Sequence, residues 1–239
     1  MLSKNQIKLL ARLKQKKFRQ EQGLFVAEGI KTIQELLNST LILHQLYTVK
    51  SFNLDAELET LIDEKELKKI SFLKTPNQAL AVFKIPDEKD LPKKGFVLAL
   101  DDVRDPGNLG TIIRLCDWFG ISNLVCSEQT VDCFNPKVIQ ATMGSITRVQ
   151  VSYTDLNTYL NDTTLPVYGA FMDGKNVYTE SLVSEGVLVM GNEANGISED
   201  IEKHITKRIS IPRFGEIQAT ESLNVATATA ILLSEFRRG

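Results

Sequence analysis

The sequence predicts an α/β protein whose larger part is a mostly parallel sheet with helices on both faces, preceded by a small α/β unit. Three observations predict it. From Phe96 onward, short apolar runs alternate with helical stretches, the pattern left by strands joined through crossover helices. Residues 1–88 carry a shorter series of the same kind. Between them lies Pro86–Gly95, PDEKDLPKKG, charged, aperiodic and holding two prolines. It reads as a linker, with 89–95 as its core and 96–239 as the second domain.

Composition narrows the function classes. Hydrophobic content of 43% and charged content of 24% are those of a globular protein, and a net charge of −2 excludes a polycation. Cys116, Cys126 and Cys133 lack CxxC spacing, which argues against a disulfide framework or a zinc site and for a reduced, cytoplasmic setting. His44 and His204 form no ligand pattern, so no metal is expected. No apolar stretch reaches the roughly 18–20 residues that span a bilayer, and the N-terminus lacks the apolar core of a secretory signal.

Ser3–Gln22 has apolar residues at Ile7, Leu10 and Leu13 and a second face of Lys4, Lys8, Arg12, Lys14, Lys16, Lys17 and Arg19. The spacing predicts one amphipathic helix. Its basic residues make either a solvated lysine face or a phosphate-contacting patch. Leu24–Ala27, Leu41–Val49 and Ala79–Phe83 read as strands, Glu28–Asn38 and Asn53–Lys69 as helices. In the second domain Phe96–Val103, Asn123–Ser127, Arg148–Tyr153, Val167–Met172, Val187–Met190 and Ile209–Pro212 read as strands. Leu109–Phe119, Pro136–Met143, Glu199–Ile205 and the uncharged run Ser222–Ser234 read as helices, and the stretch Leu156–Leu160 follows the Arg148–Tyr153 strand.

Ligands of such sheets sit beyond the carboxyl ends of the strands, and three polar loops fall there. In the first, LALDDVRDPGNLGTIIRLCDWFG (98–120), Asp105-Pro106-Gly107 is a turn signal. Gly107 and Gly110 flank Asn108, and Arg114 lies off the apolar stripe of Ile112, Leu115, Cys116 and Phe119. It is neither a Walker loop nor GxGxxG, so nucleotide binding by those rules is unsupported. In the second, VLVMGNEANGISED (187–200), a strand runs into Gly191–Gly196. Glu193 stands at the strand end, and Ser198 caps an acidic first turn. The third, ISIPRFGEIQATESLNVATATAILLSEF (209–236), joins a strand to a helix whose first turn carries Glu221, Ser222 and Asn224. Ser222 fits an N-cap or a first-turn hydroxyl. Asn224, among Leu223, Val225 and Ala226, is an amide that needs a partner. Taken singly, each loop also has a plain reading as a turn or a cap.

Together and in this order, DPGNLGTIIR, MGNEANGIS and IP…ESLNVATATAILL resemble the three signature motifs of the SpoU (TrmH-type) RNA 2′-O-ribose methyltransferases of the SPOUT superfamily. CFNPKVIQATMGSITRVQV is similar to the family's stretch between them. FVAEGIKTIQELL and LKTPNQALAVF resemble its N-terminal substrate-binding domain, so the resemblance covers nearly the whole chain. It implies a C-terminal SPOUT domain with a trefoil knot, which general topology rules would not suggest. It also implies S-adenosyl-L-methionine bound in that knot and a homodimer formed largely through the catalytic domain. Carried over by motif, it implies catalytic roles for Asn108, Arg114, Glu193, Ser222 and Asn224, and cofactor contacts from Met190, Gly191, Ile211, Leu223 and Thr142. Two departures stand out. The Arg213–Glu221 loop is longer than usual, with Arg213 where an apolar residue is common. Asn77-Gln78-Ala79 stand where a glycine is frequent.

The implied reaction moves a sulfonium methyl group to a ribose 2′-hydroxyl of structured RNA, ribosomal RNA ahead of transfer RNA. The hydroxyl must be aligned and lose its proton. Arg114 either takes that proton or fixes a phosphate while another group does, and an arginine stays protonated at almost any pH. Lys4, Lys8, Arg12, Lys16, Lys17 and Arg19 would touch RNA backbone. The alternative is a non-catalytic RNA-binding protein on the same fold.

Overall fold

A computed structural model describes residues 2–215, 217 and 222–238. Its first elements are α1 (Lys4–Arg12), α2 (Lys16–Gln22), β1 (Leu24–Glu28), α3 (Ile30–Leu37), β2 (Leu43–Thr48), β3 (Glu59–Leu61), α4 (Glu64–Ile70) and β4 (Ala79–Lys84). Then come β5 (Phe96–Leu100), α5 (Pro106–Trp118), β6 (Asn123–Ser127), α6 (Pro136–Thr142), β7 (Gln150–Thr154), α7 (Leu156–Asp162), β8 (Val167–Asn176), β9 (Gly186–Met190), α8 (Glu199–Glu202), β10 (Lys207–Ser210) and α9 (Val225–Arg237). They form two compact units. One comprises Met1–Asp87 and Asp132–Thr147, the other Glu88–Val131 and Arg148–Gly239.

The first unit is a four-stranded sheet in the order β1-β4-β2-β3. β4 pairs antiparallel with β1 and β2, and β3 pairs parallel with β2. Being central and covered on both sides, β4 is apolar at nearly every position, as a buried strand should be. Residues 3–22 break into α1 and α2 rather than forming the single predicted helix. Ser3 and Gln6 close a capping box on α1, and Gly23, at φ +62°, ends α2 in the left-handed conformation that glycine adopts without cost. Between the helices Leu13 is fully buried. Residues 53–69 depart further from the predicted helix. Glu59 accepts from the backbone N–H groups of Phe52 and Leu54, which pins an irregular loop. β3 then adds to the edge of β2, and only α4, capped by Asp63, is helical. An available sheet edge overrules local helix propensity here.

Residues 132–147 correct the expected domain boundary. They lie past the linker, yet they pack in the first unit. α6 lays Ile139 into a core with Phe25, Ala27, Leu36 and Phe83, and Phe134 packs against the Phe25 ring. Arg19 ties the same segment down. It is 1% exposed, and its guanidinium donates to the Asp132 carboxylate and to the carbonyls of Leu13 and Lys14, both at 2.9 Å. The expectation that Arg19 contacts RNA therefore fails: all of its polar reach is turned inward.

The second unit is a six-stranded sheet, β10-β8-β9-β5-β6-β7, in which every neighbouring pair is parallel. Alternate residues sort to its two faces. Val97, Ala99, Val187 and Val189 pack with Leu156 and Leu160 of α7 and Ile201 of α8. Phe96 and Tyr168 point the other way and meet Phe236 of α9, at ring separations of 4.7 and 5.0 Å. α9 packs on α5, so helices cover both faces. β8 runs four residues past its predicted end: after a break in register, Lys175 and Asn176 pair with Ile209 and Ser210 of β10, and Gly174 passes close beside them. A Cβ there would come within 2.5 Å of the Ile209 backbone. Removing one member of a buried ion pair strands the other charge. Asp132→Ala is thus expected to cost about 3–5 kcal/mol, read as an earlier first transition in urea denaturation of the full chain. An unchanged transition would contradict this account of Arg19.

Candidate active site at the sheet's carboxyl edge

The site is built where β5, β9 and the N-terminus of α9 end. Asp105 caps α5 by accepting from the Asn108 N–H at 2.8 Å, and Pro106 occupies the first helical position, where its missing N–H is not needed. DPG is thus the start of the helix rather than a turn before it, and Asn108 sits in the first turn. β9 delivers Gly191 and Glu193. The turn Asn192–Gly196 is closed by a reciprocal pair of backbone hydrogen bonds. Gly191 can only be glycine, since a Cβ would lie 2.1 Å from the Gly196 carbonyl carbon. The third contribution is Asn224, which is the N-cap of α9 and accepts from the N–H groups of Ala226 and Thr227 at 3.0 and 3.2 Å. Ser222, an expected N-cap, lies two residues ahead of that position and is exposed. Glu221 lies outside the described residues.

These three segments meet through side chains. Asn224 Nδ2 donates to Asn108 Oδ1 at 2.9 Å, and Asn108 Nδ2 donates to Glu193 Oε1 at 2.9 Å. The direction is forced from both ends. Helix N–H groups only donate, so Asn224 must turn its oxygen to them and its nitrogen outward. A carboxylate only accepts, so Asn108 must turn its nitrogen to Glu193. The chain of dipoles runs one way, from the positive end of α9 to the negative carboxylate.

Two further links hold the loops. Asp101, nearly buried, accepts from the Ser198 N–H at 2.7 Å. Asn192 donates its side-chain amide to the Asp102 carbonyl at 2.6 Å and accepts from the N–H groups of Ala194 and Asn195. Ser198 occupies the N-cap of α8, but its hydroxyl makes no capping bond. Asp101 and Asn192 were missed by the sequence argument. Asn192 carried a usable signal, an Asn entering a glycine-containing turn after a strand; Asp101 carried none.

Arg114 is exposed on α5, away from the buried Leu109, Ile112, Ile113 and Cys116. Trp118, one turn on, is 84% exposed. Of the expected cofactor contacts, Met190, Gly191, Ile211 and Leu223 all belong to this unit. The Met190 carbonyl already accepts from the Asp101 N–H, while Leu223 is half-exposed. Thr142 belongs to the first unit, fully buried, with its hydroxyl donating to the Ile139 carbonyl at 2.8 Å. It is committed to its own helix. Lys4, Lys8, Arg12, Lys16 and Lys17 are exposed on α1 and α2, with Arg12 over the Phe18 ring and Lys17 3.9 Å from Glu21. Among the described residues, no group of three or more His, Cys, Asp or Glu side chains could hold a metal ion, and no helix is long and apolar enough to cross a membrane.

Asp caps a helix about as well as Asn, whereas Ala does not. Asn224→Ala is expected to lower stability by about 1 kcal/mol and Asn224→Asp by only a few tenths, measured by urea denaturation. Equal losses would show that the cap is not what Asn224 contributes to the fold.

Comparison with known proteins fits this geometry. Residues 95–234 match the model of the SpoU rRNA Methylase family, and residues 4–81 match that of the MRM3-like substrate binding domain. A Bacillus subtilis relative named 23S rRNA (guanosine(2553)-2′-O)-methyltransferase is 32% identical over 98% of this chain and 97% of its own. A solved structure from Porphyromonas gingivalis, described as a putative RNA methyltransferase of the TrmH family, superposes with a TM-score of 0.91. It is 39% identical and covers 100% of this chain and 99% of its own. An AdoMet-bound rRNA methyltransferase from Sinorhizobium meliloti superposes with a TM-score of 0.88 at 29% identity, over 100% and 97% of the two chains. The family model spans more than half of the sequence and the Bacillus relative nearly all of it, and the chain belongs to the SpoU rRNA methylase family.

Proposed function

We propose that this protein transfers a methyl group from S-adenosylmethionine to a ribose 2′-hydroxyl of ribosomal RNA, with a guanosine of 23S rRNA as the target. The observation that carries it is the Glu193–Asn108–Asn224 chain, which joins all three family motifs at one edge of the sheet. The residues beside it suit the cofactor. Gly191 leaves backbone open to close approach, Ile211 and Leu223 offer partly exposed apolar surface, and the Glu193 carboxylate is exposed two residues after Gly191. When bound, S-adenosylmethionine supplies an electrophilic methyl carbon on a positively charged sulfur. In that reaction the ribose oxygen would take the methyl group as the C–S bond breaks and would lose its proton to solvent, so the part left to this chain is to align the two groups.

Arg114 acts as an anchor for an RNA phosphate rather than as the base. It lies exposed on its helix, and its planar fork suits bidentate phosphate binding. Asn108, Asn224 and Glu193 position the reacting groups, with Ser222 at the mouth. The second unit, Glu88–Val131 with Arg148–Gly239, is the catalytic one, and a C-terminal trefoil knot in it, as the family resemblance implies, would hold the cofactor. The exposed Trp118 beside Arg114 supports a homodimer through this domain. Unit 1 holds the RNA through the exposed lysines of α1 and α2. The protein works in the cytoplasm.

Incubation of the purified chain with radiolabelled S-adenosylmethionine and 23S rRNA is expected to label one 2′-oxygen, mapped by alkaline-resistance sequencing. Arg114→Ala should lower the rate about 100-fold, the size of a lost charge-stabilising donor, without weakening cofactor binding in calorimetry. Cofactor binding with no transfer to any RNA would favour the non-catalytic reading.

Each lysine on a phosphate contributes about one unit to the salt slope of binding. Replacing Lys8 and Lys16 by Glu should weaken binding of 23S rRNA fragments and lower that slope by about two. Identical slopes for wild type and variant would remove α1 and α2 from the interface.

A further inference from the structure

The first unit contains a cavity that the methyl-transfer site does not use. It has a volume of about 240 Å³, and Glu28, Phe72, Pro136, Lys137, Gln140 and Ala141 are among its lining residues. Most of the lining is apolar, and the volume suits one nucleobase. Its single carboxylate is unusual. Glu28 is 5% exposed, at the end of β1. One oxygen accepts from the Phe72 N–H at 2.8 Å, and the other accepts from the Ser71 hydroxyl. Each oxygen keeps a lone pair, since a carboxylate offers about four acceptor sites. Burial raises the Glu28 pKa, and the bonds from Ser71 and Phe72 oppose that rise. The amide nitrogen of Gln140 lies over Gly29, 4.0 Å from where a Cβ on that glycine would stand. A carboxylate and an amide thus both line this cavity, and apart from them and the exposed Lys137 its lining is apolar.

The geometry points to this cavity as a pocket for an unstacked guanine of the RNA substrate. A carboxylate with two oxygens to offer selects an edge with two adjacent donors, and guanine's N1–H and N2–H₂ are such an edge. Gln140 can donate to the neighbouring O6. Adenine and cytosine would set a ring lone pair against the carboxylate, and uracil a carbonyl on each side of its one N–H. Phe72 and Pro136 supply flat apolar surface for the base, as single-stranded RNA recognition requires. Lys137 can meet the adjoining phosphate. The inference rests on the RNA-modifying function proposed above and adds to it a base-reading site in the first unit.

The test uses the full chain and four fluorescein-labelled decauridylates, identical except for a central guanosine, inosine, adenosine or uridine, with affinity read by anisotropy at low salt. The guanosine oligomer is expected to bind about tenfold tighter than the adenosine or uridine one, the discrimination of a bidentate base contact. Inosine, lacking the N2 amino group, should fall between. Glu28→Gln keeps the shape and a bond to Phe72, and it should level the four affinities to within about twofold. Ala141→Leu narrows the cavity by adding bulk at another lining residue and should do the same, which decides the matter if Glu28→Gln proves unstable. Calorimetric binding of S-adenosylmethionine should be unchanged in both variants. Equal wild-type affinity for all four oligomers would overturn the pocket and leave RNA binding standing. A guanosine preference that survives both substitutions would also overturn it. Failure of every oligomer to bind would overturn the pocket and the RNA-holding role of this unit together.

Discussion

The second unit depends on one constraint: a hydrogen-bond chain whose two ends allow a single direction. A sheet does not by itself bring loop to loop. Asn108 reaches Glu193 across 85 residues of sequence and Asn224 across 116. At one end stand helix N–H groups that cannot accept, and at the other a carboxylate that cannot donate. Two amides between them have only one satisfying orientation each, so the three loops share one arrangement. Neither amide could be replaced by a carboxylate of similar size without setting acceptor against acceptor at one link of the chain. Because the chain is open to solvent, its value lies less in stability than in holding polar groups at fixed positions where a ligand can reach them.

What was legible in the sequence was local. β6 reads at its observed bounds, and the Phe96, Val167 and Val187 strands read to within a few residues, because a strand buried on both faces shows as an unbroken apolar run. The residues that meet in the site, Asn108, Glu193 and Asn224, were legible as polar residues at strand ends and helix starts. Their meeting was carried by the family resemblance, since nothing in spacing ties position 108 to 193. The choice between Ser222 and Asn224 as N-cap was not legible, because both residue types cap well. Asn224 wins because an amide has a donor left over for Asn108 after capping, and a hydroxyl at 222 stands too early in the chain.

The misreadings share a cause. Arg19 looks like its lysine neighbours in sequence, and only a carboxylate 113 residues away turns it inward. Residues 53–61 have helical composition, but the edge of β2 offers them a better set of partners. Residues 132–147 look like one more crossover in a regular alternation, yet their apolar side completes the other sheet's core. In each case a distant partner outbid a local preference, and distant partners are what a single sequence conceals.

The way the first unit is assembled has a bearing on synthesis. Domains commonly fold as they leave the ribosome, N-terminal ones first. This one cannot finish in that order. When residues 1–87 have emerged, Arg19 has no carboxylate to meet, and the wall that Ile139 and Phe134 supply does not yet exist. Two strands of the next sheet, β5 and β6, must be made before the missing piece arrives. The nascent chain thus carries an open apolar face through that interval, and the two folding events are interleaved rather than sequential.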